Sequence, residues 1–128
     1  MHIRGTDFVM FLVSDLSRAV DFYRDVLGLR CEIQSAEYQW AEFDGGDVTL
    51  ALKGNAVKIG GKAAGQIAFA VDDVAQAYQE LTGKGIQVEG PPIDSGFCIA
   101  IKVYDPDGNL VILHQREDGS YGNKATSA

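Results

Sequence analysis

Two stretches of this chain repeat one another, and an internal repeat constrains architecture more than any single motif. The segment Phe8 to Leu29, FVMFLVSDLSRAVDFYRDVLGL, returns as Gln66 to Gly85, QIAFAVDDVAQAYQELTGKG. Phe11 recurs as Phe69, Val13 as Val71, Asp15 as Asp73, Leu16 as Val74 and Ala19 as Ala77. One small unit is used twice, and a site is expected where the two copies meet.

Each unit reads as a strand, a helix and three more strands. Residues 8–13 are apolar throughout, with aromatic and β-branched members, as a buried strand requires. Ser14 or Asp15 caps a helix by accepting from the orphan N–H groups of its first turn. Leu16, Ala19, Val20, Tyr23 and Leu27 follow at helical spacing as its buried stripe, and Gly28 ends it as a left-handed residue. Strands are expected at 29–34, 38–43 and 47–53, with Asp44-Gly45-Gly46 turning the last pair. Residues 54–64, rich in Gly and Lys, are the linker.

The second unit starts with a strand over 66–71 and a helix capped by Asp73. Val74, Ala77, Tyr78 and Leu81 face inward, and Gly83 and Gly85 end the helix. Strands are expected at 86–89, 97–104 and 109–114. Residues 90–96 contain Pro91 and Pro92, which have no N–H to give a ladder, so a surface loop is expected there. Asp105-Pro106-Asp107-Gly108 is a turn. The reading is an α+β fold in one domain, 1–128. Two tandem βαβββ units, about 6–54 and 65–115, form a curved mixed sheet around a cavity, and 116–128 is a flexible tail.

A net charge of −7 over 128 residues argues against a nucleic-acid surface, which needs a basic stripe. No apolar run is long enough to span a bilayer or serve as a signal peptide. Cys31 and Cys98 form no CxxC pair and are read as reduced packing residues. A cytoplasmic location is expected.

The pattern V-x-D-L-x-x-A-x-x-F-Y-x-x-x-L-G-L over Val13 to Leu29 resembles the opening of the vicinal oxygen chelate superfamily. That group holds glyoxalase I, extradiol dioxygenases, and fosfomycin- and bleomycin-resistance proteins. The segment Gly65 to Asp73 resembles its middle, and Asp105-Pro106-Asp107-Gly108-Asn109 its closing motif. The resemblance covers residues 7–115. It implies metal ligands at the start of each unit's first strand and in the middle of each unit's last strand. Those positions fall here on Phe8, Gln66, Ile112 and a residue on or next to Leu50. Carbon side chains cannot ligate a metal, and one amide cannot hold it alone.

The expectation is therefore a protein without metal or other cofactor that binds a small organic ligand, such as an antibiotic or another aromatic compound. The ligand-binding candidates are Phe8, Trp40, Leu50, Gln66, Phe97, Ile112 and His114, with Tyr38 and Glu42 sharing the face of Trp40. The same apolar residues equally suit a strand core. His114, on the face of Ile112, is the candidate catalytic group under the alternative, a metal-dependent lyase or dioxygenase with a non-standard site using His114, Glu42 and Gln66. The resemblance also implies a homodimer, and neither nucleic acid nor membrane is expected as a partner.

Overall fold

The computed structural model describes residues 2, 4, 6–55 and 65–121. The expected linker falls almost wholly on 56–64, outside the described residues, as do positions 122–128 of the expected tail. The chain divides into two compact units. The first is Met1–Gly65 with Asp105–Asn109, and the second is Gln66–Tyr104 with Leu110–Ala128.

In the first unit, β1 (Phe8–Leu12) runs parallel to β4 (Thr49–Lys53), and β3 (Trp40–Asp44) and β2 (Cys31–Ser35) follow antiparallel, giving the order β1-β4-β3-β2. One face of this sheet is the core. Phe11, Ala41, Phe43, Leu50 and Leu52 lie on it, all buried. Helix α1 (Leu16–Asp21) closes that face. Asp15 caps it as expected, its side chain accepting from the Arg18 N–H at 3.1 Å.

The helix departs from its expected regularity at Phe22–Val26, which forms a π-helical turn. The Leu27 N–H donates to the Phe22 carbonyl at 3.1 Å, an i→i+5 bond. One extra residue in the turn rotates the buried stripe. Phe22 joins Tyr23 inside, and Leu27 is only half-buried. The two rings meet edge-on at 5.1 Å, and Tyr23 lies 5.8 Å from Phe43. Full burial of such a side chain contributes roughly 1.5–3 kcal/mol. Gly28 has φ +78°, the left-handed conformation its place after the helix calls for.

Asp105–Asn109 is more than a turn. Asp105 is buried and accepts four hydrogen bonds, from the Tyr23 hydroxyl (3.0 Å), the Asn109 side-chain amide (2.9 Å) and the backbone N–H groups of Asp107 (2.9 Å) and Asn109 (2.8 Å). Asp107 is also buried and accepts from the Ser14 N–H and hydroxyl. A buried carboxylate is tolerable only when its lone pairs are used in this way.

The second unit repeats the plan. β5 (Gln66–Ala70) is parallel to β8 (Leu110–Arg116), and β7 (Cys98–Tyr104) and β6 (Val88–Asp94) complete the order β5-β8-β7-β6. Helix α2 (Val74–Gly83) is capped by Asp73, which accepts from the Gln76 N–H at 3.1 Å. Val74 and Leu81 are buried, while Ala77 and Tyr78 are half-buried.

Two expectations are corrected here. Residues 90–94 are strand, not loop: β6 runs through Pro91 and Pro92. It is an edge strand, and its pairing with β7 shifts register between Glu89 and Ile93, which removes the demand for proline N–H groups. Gly90 lies where a Cβ would stand 2.5 Å from the Tyr78 ring, so the glycine makes room for that ring. The expected tail is ordered at its start. Arg116 ends β8, the Glu117 N–H donates to the Phe97 carbonyl at 3.0 Å, and Asp118 accepts from Ser120.

Candidate functional site

Side chains alternate along a strand, so pairing register sorts each residue onto one face. In the first sheet Phe8 pairs with Thr49, Met10 with Ala51 and Leu12 with Lys53, while Glu42 lies beside Ala51 and Trp40 beside Lys53. These residues occupy the face opposite Phe43, which packs on the helix. It is an apolar face open to solvent: Phe8 is 49% exposed, Met10 44%, and Ile33 beside Glu42 48%.

Phe8 and Trp40 meet there edge-to-face, centroids 5.7 Å apart at 88°. The Trp40 indole N–H donates to a Glu42 carboxylate oxygen at 2.9 Å. That bond fixes the indole plane and sets one half-buried carboxylate among aromatic carbon. Tyr38 lies before β3 rather than in it, largely exposed, and its carbonyl accepts from the Lys53 ammonium at 2.7 Å.

Register corrects the placement of Leu50. It pairs with Val9 and Phe43, on the helix side, and is fully buried. Leu50 is core, and the open face it was expected to line is on the other side of the sheet. Phe8 pairs with Thr49 and Gln66 with Leu110. Ile112 stands two residues past Leu110, so its counterpart is Ala51. Phe8 to Ala51 is 43 residues and Gln66 to Ile112 is 46, so the spacing of the repeat could not have found it, and only the strand pairing does.

In the second sheet Gln66 pairs with Leu110, Ala68 with Ile112 and Ala70 with His114. Across β7, Ala100 faces His114 and Cys98 faces Arg116. Gln66, Ile112 and His114 therefore share one face, opposite the buried Val111 and Leu113. Tyr104 shares it too, and its hydroxyl donates to Glu89 at 3.0 Å, a bond that raises its pKa from the ordinary phenol value.

Phe97 and His114 come together in a pocket of about 510 Å³, lined also by Cys98, Arg116, Glu117 and Asp118. Cys98, expected to be mere packing, is a wall of this pocket. Hydrogen bonds from Ser120, with a smaller contribution from Arg116, hold the Asp118 carboxyl below its usual range.

Whether the family's divalent metal fits depends on donor atoms. Phe8, Ala51 and Ile112 have no lone pair to offer, and Gln66 has one amide oxygen. The four expected ligand positions do not fit a metal. Among the described residues no three His, Cys, Asp or Glu side chains cluster so as to hold one. Nor, among those residues, is any helix long and apolar enough to cross a membrane.

A helix capped by Asp at the same place in both units, two mixed four-stranded sheets and the closing Asp-Pro-Asp-Gly-Asn turn together define the class. Residues 5–113 match the model of the glyoxalase/bleomycin resistance protein/dioxygenase superfamily, and the chain belongs to that family. The lactoylglutathione lyase of Escherichia coli O157:H7 is 30% identical over 126 residues, covering 88% of this chain and 93% of the lyase. The YraH protein of Bacillus subtilis strain 168 is 29% identical over 121 residues, covering 84% and 94%. Among solved structures, TnmS3, an antibiotic binding protein from Streptomyces sp. CB03234, superposes with a TM-score of 0.78 at 25% identity, covering 91% of this chain and 99% of TnmS3.

Proposed function

We propose that this chain is a small-molecule binding protein that takes a flat, largely apolar organic ligand on the open face of its first unit. The observation that carries the reading is the Phe8–Trp40 pair with Glu42 fixed beside it, on an exposed apolar face. Exposed aromatic surface next to one oriented polar group is how a pocket recognises a ring by area and orients it by a hydrogen bond. A ligand N–H or O–H is the natural partner of the Glu42 oxygen that Trp40 leaves open. The structural likeness to an antibiotic binding protein supports the same reading. Association into a homodimer and a cytoplasmic setting belong to the proposal.

The likeness to lactoylglutathione lyase favours a second reading, an enzyme of the same superfamily with a non-standard site that includes His114. Carbon at three of the four ligand positions weighs against it. Turnover of a vicinal dioxygen substrate that His114→Ala abolishes would establish it.

Trp40 is the only tryptophan, so its fluorescence reports on the proposed face directly. Titration with a panel of polycyclic aromatic antibiotics is expected to quench it saturably at micromolar concentration. Phe8→Ala should raise the Kd about tenfold, the loss of one aromatic contact. A flat response across the panel, or an unchanged Kd in Phe8→Ala, would overturn the reading.

A further inference from the structure

Glu42 is unlike the other carboxylates of the described residues. Asp105 and Asp107 are buried among hydrogen-bond donors, and the remaining Asp and Glu side chains are exposed. Glu42 alone is half-buried. Its donor is a neutral group, the Trp40 indole N–H, and it makes no ion pair with any described residue. The cations nearest in the sheet are engaged elsewhere. Arg30 lies 3.3 Å from Asp44 and 3.8 Å from Glu32, and the exposed Lys53 gives its ammonium to the Tyr38 carbonyl at 2.7 Å. A negative charge partly withdrawn from water and set among apolar side chains is stabilised by a positive charge brought to it.

We propose that the ligand of the first unit's open face is an organic cation: an aromatic ring system carrying a protonated or quaternary ammonium group that comes to rest against Glu42. Such a ligand presupposes the binding face proposed above and gives its occupant a sign of charge.

The two rings favour the same sign. Phe8 and Trp40 stand at 88° with centroids 5.7 Å apart, so their planes form two walls of a corner. Aromatic faces carry partial negative charge and attract a cation lodged against them, Trp most strongly. The bond from the indole N–H to an anionic carboxylate polarises the ring further in that direction. Phe8 is exposed and Trp40 half-buried, which leaves the corner open to an entering group. An anionic ligand would meet the Glu42 carboxylate and two negative ring faces, and the indole N–H is already given away. The chain's net charge of −7 favours cations at longer range as well.

The test uses one ring system in three charge states: 2-naphthylmethylammonium, 2-naphthalenemethanol and 2-naphthoate. Trp40 is the only tryptophan, so the isotope-labelled full chain gives a single indole N–H signal by NMR, and its shift on titration yields each Kd. The ammonium should bind about tenfold or more tightly than the alcohol, the gain of one charge-assisted hydrogen bond, and the naphthoate more weakly than either. Raising NaCl from about 50 mM to about 500 mM should weaken the ammonium and leave the alcohol unchanged. Glu42→Gln keeps an acceptor for the indole N–H and removes the charge. It should bring the ammonium to within about twofold of the alcohol, whose own Kd stays the same. A misfolded variant would lose both.

Equal affinity for ammonium and alcohol, or tighter binding of naphthoate, would overturn the cation and leave the binding face standing. A preference for the ammonium undiminished in Glu42→Gln would overturn Glu42 as its source. An indole signal that none of the three moves at millimolar concentration would overturn the cation, and if the antibiotic panel also leaves Trp40 unquenched, the face falls with it.

Discussion

The first unit buries its helix along Leu16, Ala19, Val20, Phe22 and Tyr23, while the second buries only Val74 and Leu81 of its own. The hairpin turns differ in the opposite sense. Asp44 and Asp47, in the turn between β3 and β4, are exposed; Asp105 and Asp107, in the turn between β7 and β8, are buried within the first unit. One residue links the two contrasts. Tyr23 corresponds in the repeat to Leu81, and only the tyrosine has a hydroxyl to give Asp105. Copies of one unit have thus diverged into a polar, heavily bonded interior on one side and a plainer one on the other. The pocket lined by Phe97 and His114 lies in the plainer unit.

If that contrast is right, Asp105→Ala gives the largest loss. It strands four donors that now converge on one carboxylate. Urea denaturation should show a loss of about 3 kcal/mol or more, since each stranded buried donor costs about 1–3. Asp47→Ala, on the solvated turn, should change stability by less than about 0.5 kcal/mol.

Tyr23→Phe sharpens the same point with a smaller effect, about 2 kcal/mol at neutral pH for a bond to a charged acceptor. Burial first, and then the charge and hydrogen bond of Asp105, push the Tyr23 hydroxyl well above its ordinary range. A raised folded pKa gives stability that is whole below the unfolded value and is lost as pH rises beyond it. The window therefore opens near pH ~10, with a slope of about 1.4 kcal/mol per pH unit from this group. Unfolding curves from pH 8 to about 11 should lose that component of the slope in Tyr23→Phe. The same slope in both proteins would show that Tyr23 is not held neutral by its surroundings.

The smallest effect is where the units should agree. Gly28 and Gly85 both have positive φ, +78° and +74°, and an added Cβ at either would meet nothing within 4 Å. Alanine at each should therefore be destabilising by about 1 kcal/mol through backbone conformation alone. Unequal values would mean that the two helix ends are not equivalent.

Much of this was legible before any coordinates. Asp15 and Asp73 announced both helices, because capping chemistry is local, and the recurrence of Phe11 as Phe69 announced the doubled unit. The failures share a cause. Phe22 defied the 3.6-residue period because a π turn is set by what the helix packs on. Pro91 and Pro92 spoke for a loop because nothing in the sequence says that β6 is an edge strand with shifted pairing. The site position could be read only as on or next to Leu50, because Leu50 and Ala51 are both apolar and only the pairing of β1 with β4 tells the two faces apart. The Asp105 carboxylate looked like an ordinary turn residue, since its partner Tyr23 is distant in sequence. At the site, the Phe8 and Trp40 candidates meet, as do Phe97 and His114. Cys98 and Arg116 became visible only through register with each other.

The central claim is that this family member has carbon where a divalent metal would need donors, and the most direct test is metal stoichiometry. The purified, untagged protein is dialysed in turn against Ni²⁺, Zn²⁺, Mn²⁺ and Fe²⁺ and then against metal-free buffer, and its bound metal is counted. Phe8, Ala51 and Ile112 predict far less than one ion per chain in every case. One tightly held ion per chain would contradict the account, and His114 would then be the first residue to substitute in a search for lyase activity.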